Sequence, residues 1–231
     1  MIVVSGDIHG STARITLLCE ELRLTEKDIL ILLGDVGANY FCDDRDKPIK
    51  EQLQKLAPTI LCIHGNHEAR PSAELGYILK TWHGGKVFYQ PEYPKLLFAR
   101  DGEIYSLAGL QCLAIGGAYS VDKYYRLARG WKYFEDEQPS VKTKQVVEQV
   151  IQKQNVDVIF SHTCPAKYIP VECFLSGIDQ NTVDQSTEEW LDKIEETIDY
   201  TAWFSGHYHT NKQIERLHFL FDDYIVLNEF L

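Results

Sequence analysis

Five short apolar runs, each ending in a loop that carries Asp, Asn or His, constrain this chain more than any other feature. Residues 2–5 lead into Asp7-Ile8-His9, and residues 28–33 lead into Gly34-Asp35. Residues 59–63 lead into Gly65-Asn66-His67-Glu68. Residues 156–160 precede Ser161-His162, and residues 201–204 precede Gly206-His207-Tyr208-His209. Uniformly apolar runs of this length read as strands covered on both faces. The polar residues beyond their ends then read as side chains aimed into one site, because open α/β sheets place their sites outside the carboxyl ends of the strands.

The spacing predicts helices over 11–23 and 48–56 between the first three strands, the second with Pro48 at its start. Strand, helix, strand, helix, strand implies right-handed crossovers and a parallel core sheet. From Lys86 to Gly116 the texture changes to short strands over 86–89, 96–99, 103–107 and 110–115. Asp101-Gly102 reads there as a hairpin turn, and Ala108-Gly109 as a weaker turn signal. Helices follow over 140–154 and 187–200, with a loop over 165–186 between them. The tail closes as antiparallel strands over 213–217 and 224–227. No repeat, low-complexity tract or linker interrupts the chain, so a single domain over 1–231 is expected.

A formal net charge of -11 over 231 residues argues against tight binding to a nucleic-acid backbone, which needs Lys and Arg to displace counterions. It argues equally against an anionic membrane surface. Small anionic substrates remain open, since bound metal can reverse the local field. The six cysteines form no CxxC pair and no zinc-finger spacing, and Cys62 and Cys112 sit inside apolar runs as small hydrophobes. No signal-peptide pattern opens the sequence and no stretch reaches transmembrane length, so a reduced, cytoplasmic protein is expected.

Asp7, His9, Asp35, Asn66, His162, His207 and His209 supply two carboxylates, one amide oxygen and four imidazoles. Such a mixed oxygen and nitrogen set suits Mn²⁺, Fe or Zn²⁺ and exceeds what one tetrahedral ion can use. Two ions sharing a carboxylate use it more fully, as in sites that clamp a phosphoryl group.

In order, the pattern Asp-x-His, Gly-Asp, Gly-Asn-His-Glu, His and Gly-His-x-His resembles the calcineurin-like metallophosphoesterase family and spans residues 7–209. The resemblance implies an α/β fold, a four-layer α/β/β/α sandwich of two mixed sheets flanked by helices. It implies two divalent metal ions, with Mn²⁺ the first expectation. Asp7, His9, Asp35 and His209 would hold one. Asp35 would bridge to a second, held by Asn66, His162 and His207. A metal-bridging hydroxide would attack the phosphorus of a phosphate mono- or diester. His67 would assist the leaving group, and Glu68 would orient His67. Asn39 stands where the protein Ser/Thr phosphatases of the family carry a phosphate-gripping Arg, so the segment around Gly34-Asp35-Val36-Gly37 departs from their motif.

Asn39, Arg70, Tyr119 and Arg126 are candidate substrate contacts. Tyr119, Asp122, Lys123 and Arg126 follow Gly116-Gly117, where paired glycines allow close backbone approach. The expected partner is a phosphorylated small molecule. Two rivals stand beside this reading: a protein-binding scaffold that keeps the fold, and a nuclease. Completeness of the ligand positions favours the hydrolase over the scaffold, and the acidic balance weighs against the nuclease.

Overall fold

A computed structural model describes residues 1–230; Leu231, the last residue of the expected domain, lies outside the described residues. Four-residue apolar runs give the central strands. In chain order the first elements are β1 (Ile2–Ser5), α1 (Ala13–Glu21), β2 (Ile29–Leu32), α2 (Lys47–Lys55) and β3 (Thr59–Cys62). Four strands follow that mostly pair antiparallel: β4 (Ile78–Trp82), β5 (Gly85–Tyr89), β6 (Leu96–Ala99) and β7 (Ile104–Leu107). The chain continues through β8 (Leu110–Ile115), α3 (Lys123–Ala128), α4 (Val141–Ile151) and β9 (Val158–Ser161). It closes with α5 (Ser186–Thr197), β10 (Ala202–Ser205), β11 (Lys212–Ile214), β12 (Leu217–Phe219), β13 (Tyr224–Val226) and α6 (Leu227–Phe230).

These strands form two mixed sheets, β13-β1-β2-β3-β6-β5-β4 and β11-β12-β10-β9-β8-β7. Each sheet is parallel at its centre and antiparallel at its edges. The sheets face each other across one apolar layer, where Val4, Ile31, Leu61 and Leu97 meet Ala114, Phe160 and Phe204. Helices α1 and α2 cover the outer face of the first sheet through Ile15, Leu18, Ile49 and Leu53. Helices α4 and α5 cover the second through Val147, Trp190, Leu191 and Ile194. The order is therefore α/β/β/α, the architecture expected from the resemblance.

Local chemistry explains most boundaries. Pro48 occupies the first turn of α2, where its missing N–H costs nothing. Ser140 caps α4, its Oγ accepting from the Thr143 amide at 3.1 Å. Helices α4 and α5 end a few residues short of the expected spans, and β9 and β10 run one residue further toward the site.

Three readings of the sequence need correction. Asp101-Gly102 does not turn a hairpin: β6 and β7 lie in different sheets, and these residues carry the chain between them. Asp101 is occupied instead, accepting from the Gly116 amide at 2.7 Å and from Arg70 Nη1 at 2.6 Å. The hairpin falls at Ala108-Gly109, both with positive φ, joining β7 to β8 with Leu107 opposite Leu110. Residues 213–217 are not one strand but the start of a hairpin, reversed at Glu215 with φ 52°. Strand β4 and helix α3 carry no long apolar run; β4 is an edge strand with Ile78 and Leu79 half exposed, and it was not legible by periodicity. Among the described residues no helix is long and apolar enough to cross a membrane.

Candidate functional site

Register brings the polar loops together. Ser5 pairs with Leu32, and Leu32 with Cys62, so β1, β2 and β3 end level in the first sheet. Ile115 pairs with Ser161, and Ser161 with Ser205, so β8, β9 and β10 end level in the second. Residues just beyond these ends meet at one edge of the sandwich. Glycine makes the approach possible. A Cβ on Gly65 would collide with the Asp35 carboxylate, and one on Gly34 with the His162 ring.

Among the described residues nine non-glycine positions have positive φ, and four of them belong to the site: His9 (45°), Asp35 (47°), His207 (67°) and His209 (49°). Left-handed backbone costs an ordinary residue roughly 1 kcal/mol or more, and its concentration here marks strain held for a purpose.

The donor atoms fall into two neighbouring sets. In the first, His9 Nε2 and His209 Nε2 are 2.8 Å apart. Asp7 Oδ2 lies 3.5 Å from the His209 nitrogen and 3.9 Å from that of His9. In the second, His162 Nε2 is 2.8 Å from Asn66 Oδ1 and 3.6 Å from Asp35 Oδ2. Two ligands at right angles on an ion with bonds of about 2.05 Å are separated by about 2.9 Å, so these spacings fit a first-row divalent cation. The groups Asp7–His9–His209, His9–Asp35–His67 and Asp7–Asp35–His162 each hold their donor atoms within 4.8 Å of one another. His207 stands beside the second set, its ring 5.0 Å from that of His162 and its amide donating to both Asp7 carboxylate oxygens at 3.1 and 3.2 Å.

Surrounding groups orient these donors. His162 Nδ1 lies 2.7 Å from the Leu33 carbonyl, a contact in which Nδ1–H donates and the Nε2 lone pair faces the site. Asn66 Nδ2 donates to Ser120 Oγ at 2.9 Å, which turns the amide oxygen inward. Ser120 Oγ in turn donates to Glu137 Oε2 at 2.5 Å, and its amide to Oε1 at 3.0 Å. From below, Arg14 donates to the Asp7 carbonyl at 2.9 Å and to Ser5 Oγ at 2.7 Å. The sequence did not single out Arg14, Ser120 or Glu137. Glu137 in particular sits in an acidic stretch that reads as surface, yet it is buried.

Charge shifts follow from this packing. Burial pushes the Asp35 carboxyl up, and the imidazoles of His162, His67 and His9 pull it down further, leaving it below the usual carboxylate range. Burial and His162 hold His207 well below the ordinary imidazole value, so it is neutral at pH 7. The bond to Asp7 raises His209. His67 is lowered by burial, with Arg126 and His9 adding to the effect and Asp35 and Asp122 opposing it.

The structure brings His67 to the site, its amide donating to Asp35 Oδ1 at 2.8 Å and its ring 5.5 Å from that of His9. The carboxylate facing its Nε2 is Asp122, at 3.8 Å. The Glu68 carboxylate is engaged by backbone rather than by the His67 ring. It is fully buried beneath the loop after β2, Oε1 accepting from the Val36 amide at 3.2 Å. Burial and the Asp35 charge push its carboxyl up to about 8. Asn39 also points elsewhere, its buried Oδ1 accepting from Tyr77 OH at 2.8 Å. Arg70 is ion-paired to Asp101 at 2.6 Å and donates to the Asp136 carbonyl at 2.8 Å, which makes it a tie between loops. Tyr119 and Asp122 line the site's cavity, and Lys123 is turned onto the Tyr133 ring at 4.5 Å. Arg126 is buried with its guanidinium 5.7 Å from the Tyr40 ring centroid, and among the described residues its Nη1 has no hydrogen-bond partner.

Comparison with known proteins agrees with this arrangement. The family model described as calcineurin-like phosphoesterase matches residues 1–211. None of the curated proteins compared with the chain matches it by sequence. Among solved structures, TT1561 of Thermus thermophilus shares 11% identity over 95% of this chain and 87% of its own, with a TM-score of 0.53. A second solved structure shares 10% identity over 95% of this chain and 88% of its own, with a TM-score of 0.55. The phosphopantetheinyl hydrolase PptH of Mycobacterium tuberculosis covers 94% of this chain and 87% of its own at 12% identity; its TM-score of 0.39 is too low to compare the two sites. At these identities the structural likeness speaks to the fold alone. The fold, the motif order and the matched family model together place the chain in the calcineurin-like phosphoesterase family, the metal-dependent phosphoester hydrolases.

Proposed function

We propose that this chain is a single-domain, two-metal phosphoesterase that hydrolyses a mono- or diester of a phosphorylated small molecule. The observation that carries the reading is the pair of donor sets, Asp7–His9–His209 and Asp35–Asn66–His162, that share one edge of the sandwich. Asp7, His9, Asp35 and His209 would hold one ion, and Asp35, Asn66, His162 and His207 the other. Mn²⁺ suits the mixed donors, and Fe or Zn²⁺ would also be accepted. When bound, the ions supply Lewis acidity toward the phosphoryl oxygens and lower the pKa of water enough to give a nucleophile at neutral pH.

The protein's own groups do the rest. His67, whose Nε2 faces Asp122 at 3.8 Å, would assist the departing oxygen by donating a hydrogen bond or a proton. Arg126, whose buried Nη1 has no hydrogen-bond partner among the described residues, would have to turn into the cavity to grip a phosphoryl oxygen. Tyr119 borders the cavity where the ester's alcohol would lie. The direct test is hydrolysis of p-nitrophenyl phosphate and its bis-ester by chelator-stripped protein, restored on adding Mn²⁺. Restored turnover supports the reading, and the ratio of the two rates assigns the ester class. No turnover with metal demonstrably bound would sink it.

A further inference from the structure

From the donor sets a cavity of about 510 Å³ extends beneath the segment between β9 and α5. That volume is in the range of a small-molecule site. Away from the donor sets its lining is mainly apolar: Val121 from the loop after β8, and Ile169, Phe174, Leu175, Ile178 and Val183 from the covering segment, with Gln180 and Gln185 among them. Leu175 is 59% exposed, so its aliphatic side chain borders the cavity without being sealed in a core, whereas Ile169 also packs against the core beneath the second sheet. No Lys or Arg lines the space among the described residues, and its charged members beyond the donor sets are carboxylates, Asp122, Asp184 and Glu188.

A ligand whose phosphate sits on the donor sets must place its alcohol portion against this wall. A second phosphate or a carboxylate there would meet acidic groups and find no cation. The aliphatic wall stabilises methylene groups instead, each buried one being worth about fourfold in affinity. Resting on the hydrolase reading above, we infer that the substrate is a phosphate ester of an uncharged, apolar alcohol, bound with its hydrocarbon portion beneath residues 169–183. Hydrolysis then forms one P–O bond from water and breaks the P–O bond to the alcohol, which leaves carrying the proton delivered by His67.

The test uses Mn²⁺-loaded full-length protein and two readouts. Calorimetry compares binding of ethylphosphonate and octylphosphonate, which cannot be hydrolysed. Phosphate release gives kcat/KM for ethyl, butyl and octyl phosphate below micellar concentration. Octyl should exceed ethyl at least tenfold in both readouts, with a negative heat-capacity change on binding. Leu175→Asp and Ile178→Asp should each cut that preference at least threefold. Val171→Asp, exposed on the same segment but outside the cavity, should keep it. A flat series with all esters hydrolysed would overturn the inference and leave the hydrolase reading intact. So would preference for an ester ending in carboxylate or trimethylammonium over octyl phosphate. Tight octylphosphonate binding with no ester turned over would support the apolar site while removing the hydrolase reading.

Discussion

Asn66 Nδ2 donates to Ser120 Oγ at 2.9 Å, and that bond decides which end of the Asn66 amide faces His162 Nε2. Ser120 is itself fixed by the buried Glu137 carboxylate, so three residues from three loops act as one support. Ser120→Ala would free the amide to rotate. Groups that orient a metal ligand typically matter by 10–100-fold in affinity. The variant should therefore bind Mn²⁺ about tenfold or more weakly in competition with a chelator, with its fold intact by circular dichroism. Wild-type affinity would show that Asn66 needs no such support.

His67→Ala should keep its metal content and lose about 10²–10⁴ in kcat, the usual scale for general acid catalysis. The loss should be larger for an alkyl phosphate than for p-nitrophenyl phosphate, whose leaving oxygen needs no proton. Equal rates for wild type and variant on both esters would remove His67 from the reaction.

Glu68 makes a prediction about stability and pH. Its folded-state pKa, pushed up to about 8, lies above the unfolded value of about 4.5. Between these values the folded chain keeps a proton that the unfolded chain has lost. Raising the pH through this window therefore favours unfolding, and the loss is complete once pH passes about 8. Glu68→Gln, which keeps an oxygen for the Val36 amide, should flatten this fall and be more stable than wild type at pH 8.5 by about 2–4 kcal/mol. Urea unfolding in chelator at pH 5.5 and 8.5 measures it. A parallel fall in both proteins would place the titration elsewhere.

Arg126→Met removes a buried charge that, among the described residues, has no carboxylate within ion-pair distance, while keeping much of its volume. Hydrogen bonds to charged groups are worth about 1.5–3 kcal/mol. The variant should lose roughly thirtyfold in kcat/KM with its melting temperature unchanged or raised. Lost stability with unchanged kinetics would make Arg126 structural.

Most of the order of elements, and the convergence of the loops that carry the seven expected ligand residues, were legible because both rest on local rules. Apolar runs mark strands, and polar residues beyond parallel strand ends must converge once the register is level. What lay outside the sequence was decided by long-range partners. Asp101-Gly102 has hairpin composition, but Asp101 is claimed by Gly116 and Arg70, and the chain crosses to the other sheet. The resemblance paired Glu68 with His67, yet the Glu68 carboxylate accepts from the Val36 amide. Asp122, far along the sequence, takes the place beside His67 instead. Ser120 and Glu137 belong to no periodic pattern and become meaningful only when the loop after β8 folds over Asn66.

The central claim is that two ions act together across Asp35. Chelator-stripped protein should be titrated with Mn²⁺ while metal content and p-nitrophenyl phosphate hydrolysis are followed in the same samples, beside Asp35→Asn. The account predicts two ions per chain, turnover that appears with the second ion, and loss of both ions in the variant. Full turnover at one ion per chain, or two ions retained by Asp35→Asn, would contradict it.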